Sequence, residues 1–382
     1  MPSAPVLVVC IDGCDPAYVW DAFDRGLAPR ILEMGERGSV LVGRSQIPSF
    51  TNPNNLSIVC GAPPAVHGIP GNHYLADAGT EVQLTDPALL RAPSVHAAFA
   101  GQGLPVLAVT TKHKLASLLG CGGVPCWSVE GAASQTFDGR PVESVVGAPP
   151  PGIYDWEASP YAVRLGRELA RRRSARLVYV SLTDYVQHAE PPGGPMSDAY
   201  WRRLDGEVGR CLDSGWAVGL VADHGMNDKA RSDGSPNVRY LDDVLRGAGV
   251  SGARTVLPIT DPYVVHHGAL GSACWVHVGV ENRAAAADVL SGLDGVEEVV
   301  ERSAAAERFA LPADRIGDLL VLADAGTVLG TSEGAHDLSG LRGRLRSHGG
   351  LHEQEVPLIL SRRVTVSGTV SNADVHDLLL NG

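Results

Sequence analysis

Apolar residues run almost without interruption from Val6 to Ile11, and similar runs cover Val106–Val109, Leu177–Leu182, Ala217–Ala222 and Val356–Leu360. Runs of four to six are too short for buried helices, and strands buried on both faces have this pattern. Between them lie stretches with helical spacing, Ala158–Arg173 and Pro195–Leu212. Strand and helix alternating in this way predict an α/β fold, a central sheet flanked by helices. The segment 255–311 has a different rhythm. Trp275–Val278 predicts a strand, Asn282–Leu290 a helix, Val296–Val300 a strand and Ala304–Phe309 a short helix. This segment is expected to be a small inserted α+β cap, with 1–254 and 312–382 forming the core.

The composition fits an enzyme-sized globular chain: 382 residues, 44% hydrophobic and 19% charged, long enough to bury a core without disulfide support. A formal net charge of -12 argues against nucleic acid or an anionic membrane as partner. An anionic substrate would then need a locally positive site, which bound metal ions supply. The apolar run at Val6–Ile11 is shorter than a signal core and ends in Asp12, and no run approaches the length of a membrane span. Seven scattered cysteines, an odd number among which Cys121 and Cys126 could form a local pair, suit a reducing compartment. The expected location is the cytoplasm, and a homodimer is left open.

Acids and histidines gather where the predicted strands end. Asp12 ends the first strand, Asp184 and His188 follow the third, Asp223 and His224 end the fourth, and His348 sits in Ser347-His-Gly-Gly350 before the last. Ligands of open α/β sheets bind beyond the carboxyl ends of the strands, so these groups would meet on one edge. Three Asp and three His, with no thiolate, suit two zinc ions. Taken singly, Asp184/His188 is equally a surface pair and Asp223-His224-Gly225 a tight turn. Taken together they predict a metal centre.

These residues also carry a resemblance. VVCIDGCDP at Val8–Pro16, PSFTNPNNLSIVCGAPPAVHGIPGN at Pro48–Asn72, TDYVQHAEPP at Thr183–Pro192, VADHGM at Val221–Met226 and SHGG at Ser347–Gly350 resemble the alkaline phosphatase superfamily, in its nucleotide pyrophosphatase/phosphodiesterase branch. The resemblance implies an alkaline phosphatase-like core. It implies Thr51 as nucleophile, Asp184, His188 and His348 on one zinc ion, and Asp12, Asp223, His224 and the Thr51 oxygen on the other. Zinc would make the threonine hydroxyl reactive by stabilising its alkoxide. Without the resemblance, Thr51 reads as a helix cap or a loop hydroxyl.

Cys60-Gly-Ala-Pro-Pro lacks the Cys-x-Pro-x-Arg pattern of sulfatases, and a phosphoglycerate mutase would use Ser and carry a larger insert. Thr110-Thr-Lys-His-Lys114 with GIPGNHY at Gly68–Tyr74 resembles the phosphonoacetate hydrolase family instead. That implies Asn72, Lys112 and Lys114 as substrate contacts. An alternating Lys112/Lys114 pair on an extended segment would present both ammonium groups to one side; the bland alternative is a solvated loop. His67, His73 and His113 are further candidates near the site. The expected activity is hydrolysis of the C–P bond of a small anionic organophosphorus substrate, phosphonoacetate. The alternatives are a phosphodiesterase or pyrophosphatase of the same fold and a metal-stabilised binding protein.

Overall fold

The structure, a computed structural model, describes residues 4–76, 79–259, 269–341 and 343–381. A seven-stranded sheet forms its centre. Val6–Cys10 lies in the middle, parallel to Leu177–Ser181 on one side and Ala217–Val221 on the other. Val106–Thr110 and then Cys126–Ser128 continue the parallel set to one edge. Glu355–Leu360 runs antiparallel beside Ala217–Val221, and Ser39–Arg44 closes the other edge, also antiparallel. The runs read as strands from the sequence are therefore strands, and the four central ones are buried along their whole length.

The register shows how helices cover both faces. Ile359 stands beside Leu220, Leu220 beside Val9, and Val9 beside Val180, which neighbours Val109. Gly35, on the helix Pro29–Arg37, packs against Ile359, and Gly166, on Ala158–Arg173, packs against Val180 and Val109. These helices share one face. Gly219 and Leu360 are cross-strand partners facing the other way, and Leu379 of Val375–Asn381 packs onto Gly219. A side chain at 219 would meet Leu379 at 2.5 Å, so this glycine permits the close approach.

A second, antiparallel sheet has the order Arg254–Val256, Ala273–His277, Leu319–Ala323, Val296–Glu301. With the helices Arg283–Ser291 and Arg302–Arg308 it surrounds its own hydrophobic cluster, around Trp275 and Leu320. The strand Leu319–Ala323 lies past the expected cap limit, in the stretch assigned to the core. Its LLVLA sequence is as uniformly apolar as a central strand of the large sheet, so composition does not say which sheet it joins. Residues 260–268 of the expected cap lie outside the described residues. Ile47 and Phe50, just before Thr51, are buried in this second cluster, which ties the smaller sheet to the site.

The extended Lys112/Lys114 segment is corrected by the structure. The strand ends at Thr110, Lys112 occupies the cap position of the helix His113–Leu119, and Lys114 lies in its first turn. Among the described residues, no helix is long and apolar enough to cross a membrane.

Candidate active site and metal centre

Asp12, Asp184, Asp223 and His224 all lie two or three residues beyond the carboxyl ends of parallel central strands. Each is buried. His188 follows on the short helix Tyr185–Ala189, with its Nε2 3.3 Å from Asp184 Oδ2. His348 arrives from the other end of the chain. Its loop is held by Ser49, whose N–H donates to Gly349 O at 3.0 Å and whose hydroxyl donates to Gly350 O at 3.0 Å. Two groups of potential ligand atoms result: Asp184, His188 and His348, and Asp12, Asp184 and His224.

The three histidines share one arrangement. The Nδ1 of His188 lies 2.8 Å from Arg346 O, that of His224 2.9 Å from Gly225 O and that of His348 2.8 Å from Ser49 O. A carbonyl only accepts, so Nδ1 carries the proton and donates. The tautomer of the neutral ring is thus assigned by the partner, and Nε2 is the nitrogen left to bind a metal. Imidazole and carboxylate donors without a thiolate suit zinc. The residues present therefore fit a pair of divalent cations.

The charge balance points the same way. Burial and the neighbouring Asp12 push Asp223 up to about 7. Burial opposes a charge on His224, but Asp223 and Asp12 outweigh it and raise the imidazole to about 9. His348, buried between His224 and His188, is held well below its ordinary value. The His224 and His348 rings stack with centroids 3.6 Å apart.

Asp223 is engaged on both oxygens. Oδ1 accepts from the Gly13 and His224 N–H groups at 3.1 and 3.0 Å, and Oδ2 accepts from Asn55 Nδ2 at 2.9 Å. Asn55 also donates to Thr51 O at 3.0 Å and accepts from Tyr179 OH at 2.8 Å. Sequence reasoning missed Asn55 and Tyr179. Asn55 sits four residues after Thr51, one turn along the same helix face, and that spacing was the available signal for it. Tyr179 is one apolar position within a strand, and no local pattern marks it.

Thr51 opens the helix Thr51–Cys60, and Phe50 before it offers no capping side chain. Its hydroxyl lies 3.5 Å from Asp12 Oδ1 and 3.3 Å from His224 Nε2. The positive end of the helix dipole favours negative charge at this position. Phe50 is 1% exposed and lies edge-on to His348 at 5.5 Å. It also packs against Gly271 and Gly349, where a side chain would meet its ring at 2.9 and 2.3 Å.

Lys112 reaches into the cluster, with Nζ 2.9 Å from Asp12 Oδ2 and 3.0 Å from Asp184 Oδ1. Burial opposes its charge, but the two carboxylates outweigh burial and hold it well above its ordinary value. Lys114 is half-buried. Burial and then Lys112 bring it down to about 7, against the pull of Asp184, Asp12 and Glu130. Asn72 is buried and donates to Ile259 O at 3.1 Å, and its Oδ1 has no hydrogen-bond partner among the described residues. His67 is buried and neutral, lowered by burial to about 3, and bonds Ser57 on the Thr51 helix at 2.9 Å. His113 is exposed and bonds Ser128 Oγ at 2.9 Å; His73 lies in the strand His73–Leu75.

Comparisons with known proteins agree with this architecture. Residues 6–351 match the family model for type I phosphodiesterase / nucleotide pyrophosphatase. The chain is 42% identical to phosphonoacetate hydrolase from Sinorhizobium meliloti 1021, solved in complex with phosphonoformate and with phosphonoacetate. The match covers 98% of this chain and 94% of that one, with a TM-score of 0.93. Murine ectonucleotide pyrophosphatase / phosphodiesterase 5 is 16% identical over 98% of this chain and 94% of that one, with a TM-score of 0.67, and shares the fold. The expected α/β core is thus an alkaline phosphatase-like one, and the chain is an enzyme that belongs to the type I phosphodiesterase / nucleotide pyrophosphatase family of the alkaline phosphatase superfamily.

Proposed function

We propose that the chain hydrolyses the C–P bond of phosphonoacetate to acetate and phosphate, with Thr51 as nucleophile at a pair of zinc ions. Asp184, His188 and His348 would hold one ion, and Asp12, Asp223, His224 and the Thr51 oxygen the other. Once bound, such a pair supplies Lewis acidity, favouring the threonine alkoxide and the charge that builds on the phosphonate oxygens. The other tasks fall to this chain's own side chains. Asn55 holds both Asp223 and the Thr51 backbone, so nucleophile and cluster keep a fixed spacing. Attack by Thr51 Oγ forms an O–P bond and breaks the C–P bond. The electron pair leaves with the carbon and spreads into the adjacent carboxylate as an enediolate, and protonation gives acetate. Water then cleaves the phospho-threonine to phosphate.

A cation beside the leaving carboxylate lowers this barrier, and the observation that carries the reading is the lysine pair. Lys112 stands within 3.0 Å of two cluster carboxylates, and Lys114 is close enough for Lys112 to depress it. Asn72 is assigned to a phosphonate oxygen. A nucleotide phosphodiesterase would want an aromatic surface for a base, and Phe50 is buried against His348. The smaller sheet is read as a cap over the core. The seven cysteines are free thiols, which fits the reducing compartment and the cytoplasmic location included in this reading.

A phosphate-release panel tests the substrate. Phosphonoacetate should be turned over far faster than alkylphosphonates or phosphodiesters; faster release from a diester would move the assignment to the phosphodiesterases. The lysines call for a second comparison. Lys112 touches two cluster carboxylates, so its removal also disturbs the metal site, and Lys114 is the cleaner probe. Lys114→Ala is expected to lower kcat/KM for phosphonoacetate by about a hundredfold, the scale of one lost transition-state contact. An aryl phosphonate ester, which lacks the carboxylate, should lose little. Equal losses on both substrates would assign Lys114 to the fold or the metals.

A further inference from the structure

Behind the cluster lies a buried ion pair with no contact to the reacting groups. Lys229 and Glu353 are both 0% exposed, with Nζ 2.8 Å from Oε1. Such a pair gives little net stability, because desolvation offsets the attraction; its other contacts are more informative. Glu353 Oε2 accepts from the Gly350 N–H at 3.0 Å, two residues after His348. The Glu353 carbonyl accepts from the Gly225 N–H at 2.7 Å, next to His224. Asn227 Nδ2 donates to Oε1 at 2.7 Å. Lys229 Nζ donates to Ala325 O at 2.8 Å, just past the strand Leu319–Ala323 of the smaller sheet. Glu353 thus joins the loop of His348 through its carboxylate, the segment after His224 through its carbonyl and through Asn227, and the edge of the smaller sheet by way of Lys229.

We propose that Glu353, held by Lys229, is a positioning residue that locks the His224 and His348 loops to each other, so that their stacked imidazoles present Nε2 atoms at a fixed spacing. The inference rests on reading the Asp/His cluster as a metal centre. Its chemical basis is that the bonds to the carboxylate are charge-assisted and stronger than neutral ones. His224 and His348 sit on separate segments, and loops stay in register only where something fixes both.

The test uses zinc uptake rather than turnover. The double variant Lys229→Met/Glu353→Gln leaves no stranded buried charge. Its zinc affinity, measured by competition with a chelator and elemental analysis, is expected to fall about tenfold or more, the range seen when supporting groups of metal ligands are removed. The control is Glu207→Gln, which breaks the pair between buried Glu207 on the helix Pro195–Asp213 and half-buried Arg167 on Ala158–Arg173 and should keep wild-type zinc affinity at a similar loss of thermal stability. Unchanged affinity in the double variant, or an equal loss in the control, overturns the proposal. A measurement on the metal-free wild-type protein does not depend on any variant folding. The Gly225 and Gly350 amides should exchange with solvent at matching rates, as one unit, and independent exchange also overturns it. Wild-type protein that takes up no zinc would instead sink the metal-centre reading itself, a separate and recognisable result.

Discussion

Thr51→Ala should lower phosphonoacetate turnover by about a thousandfold or more, equivalent to about 4 kcal/mol of barrier, while the fold is retained. The structure gives reasons for both halves. Thr51 is half-buried at the first position of its helix, and among the described residues its hydroxyl bonds Asp12 and His224, at 3.5 and 3.3 Å. Removing it leaves no buried donor stranded in the core. The backbone bond from Asn55 to Thr51 O survives the substitution, so Asp223 keeps its partner. Thr51→Ser should keep measurable turnover, because the hydroxyl remains, though its extra freedom weakens the alignment. Single-turnover rates with a thermal melt and metal content in parallel check all three points. Activity of Thr51→Ala within about tenfold of wild type, about 1.4 kcal/mol, would mean that water attacks phosphorus directly.

Removing metal should abolish activity, and zinc should restore it. Asp12, Asp184 and Asp223 are gathered in a buried space with Lys112 and His224. Without metal the cluster keeps protons: Asp223 is raised to about 7 and His224 to about 9. Ligands must lose those protons to bind a cation. Both values are raised, so zinc uptake at neutral pH should release protons, and apparent affinity should climb as pH rises toward about 9. Calorimetry in buffers of different ionisation enthalpy counts the protons released. Active protein holding less than one equivalent of divalent metal, or uptake with no proton release, would count against the centre. Asp223→Asn should lower zinc affinity and turnover together.

Much of the fold could be read because the central strands are buried on both faces and so are continuously apolar. Ser39–Arg44 escaped because it is an edge strand, largely half-buried or exposed, with mixed residues. Leu319–Ala323 is as apolar as a central strand yet pairs in the smaller sheet, and composition does not distinguish the two. The candidate ligands could be picked out because strand ends concentrate them and motifs mark them. The supports could not. Asn55, Tyr179, Ser49 and Glu353 act across 124 to 301 positions of sequence, through backbone atoms or single polar groups, and of the four only Asn55 carried a local signal, its spacing from Thr51. Lys114 was assigned to an extended segment because an alternating pair reads that way, whereas a helix begins at His113.

The ring of Phe50 lies behind His348 and fills the space over Gly271, where a side-chain carbon would come within 2.9 Å of it. That contact constrains sequence change. Alanine at 271 would crowd both the Phe50 ring and the His348 carbonyl, at 2.9 and 3.1 Å, so a smaller residue at 50 removes part of the clash, and alanine at 271 beside Phe50 passes through an overpacked intermediate at a cost of about 1–3 kcal/mol. Substitutions at 50 and 271 should therefore be epistatic, and libraries that vary 271 alone should return glycine.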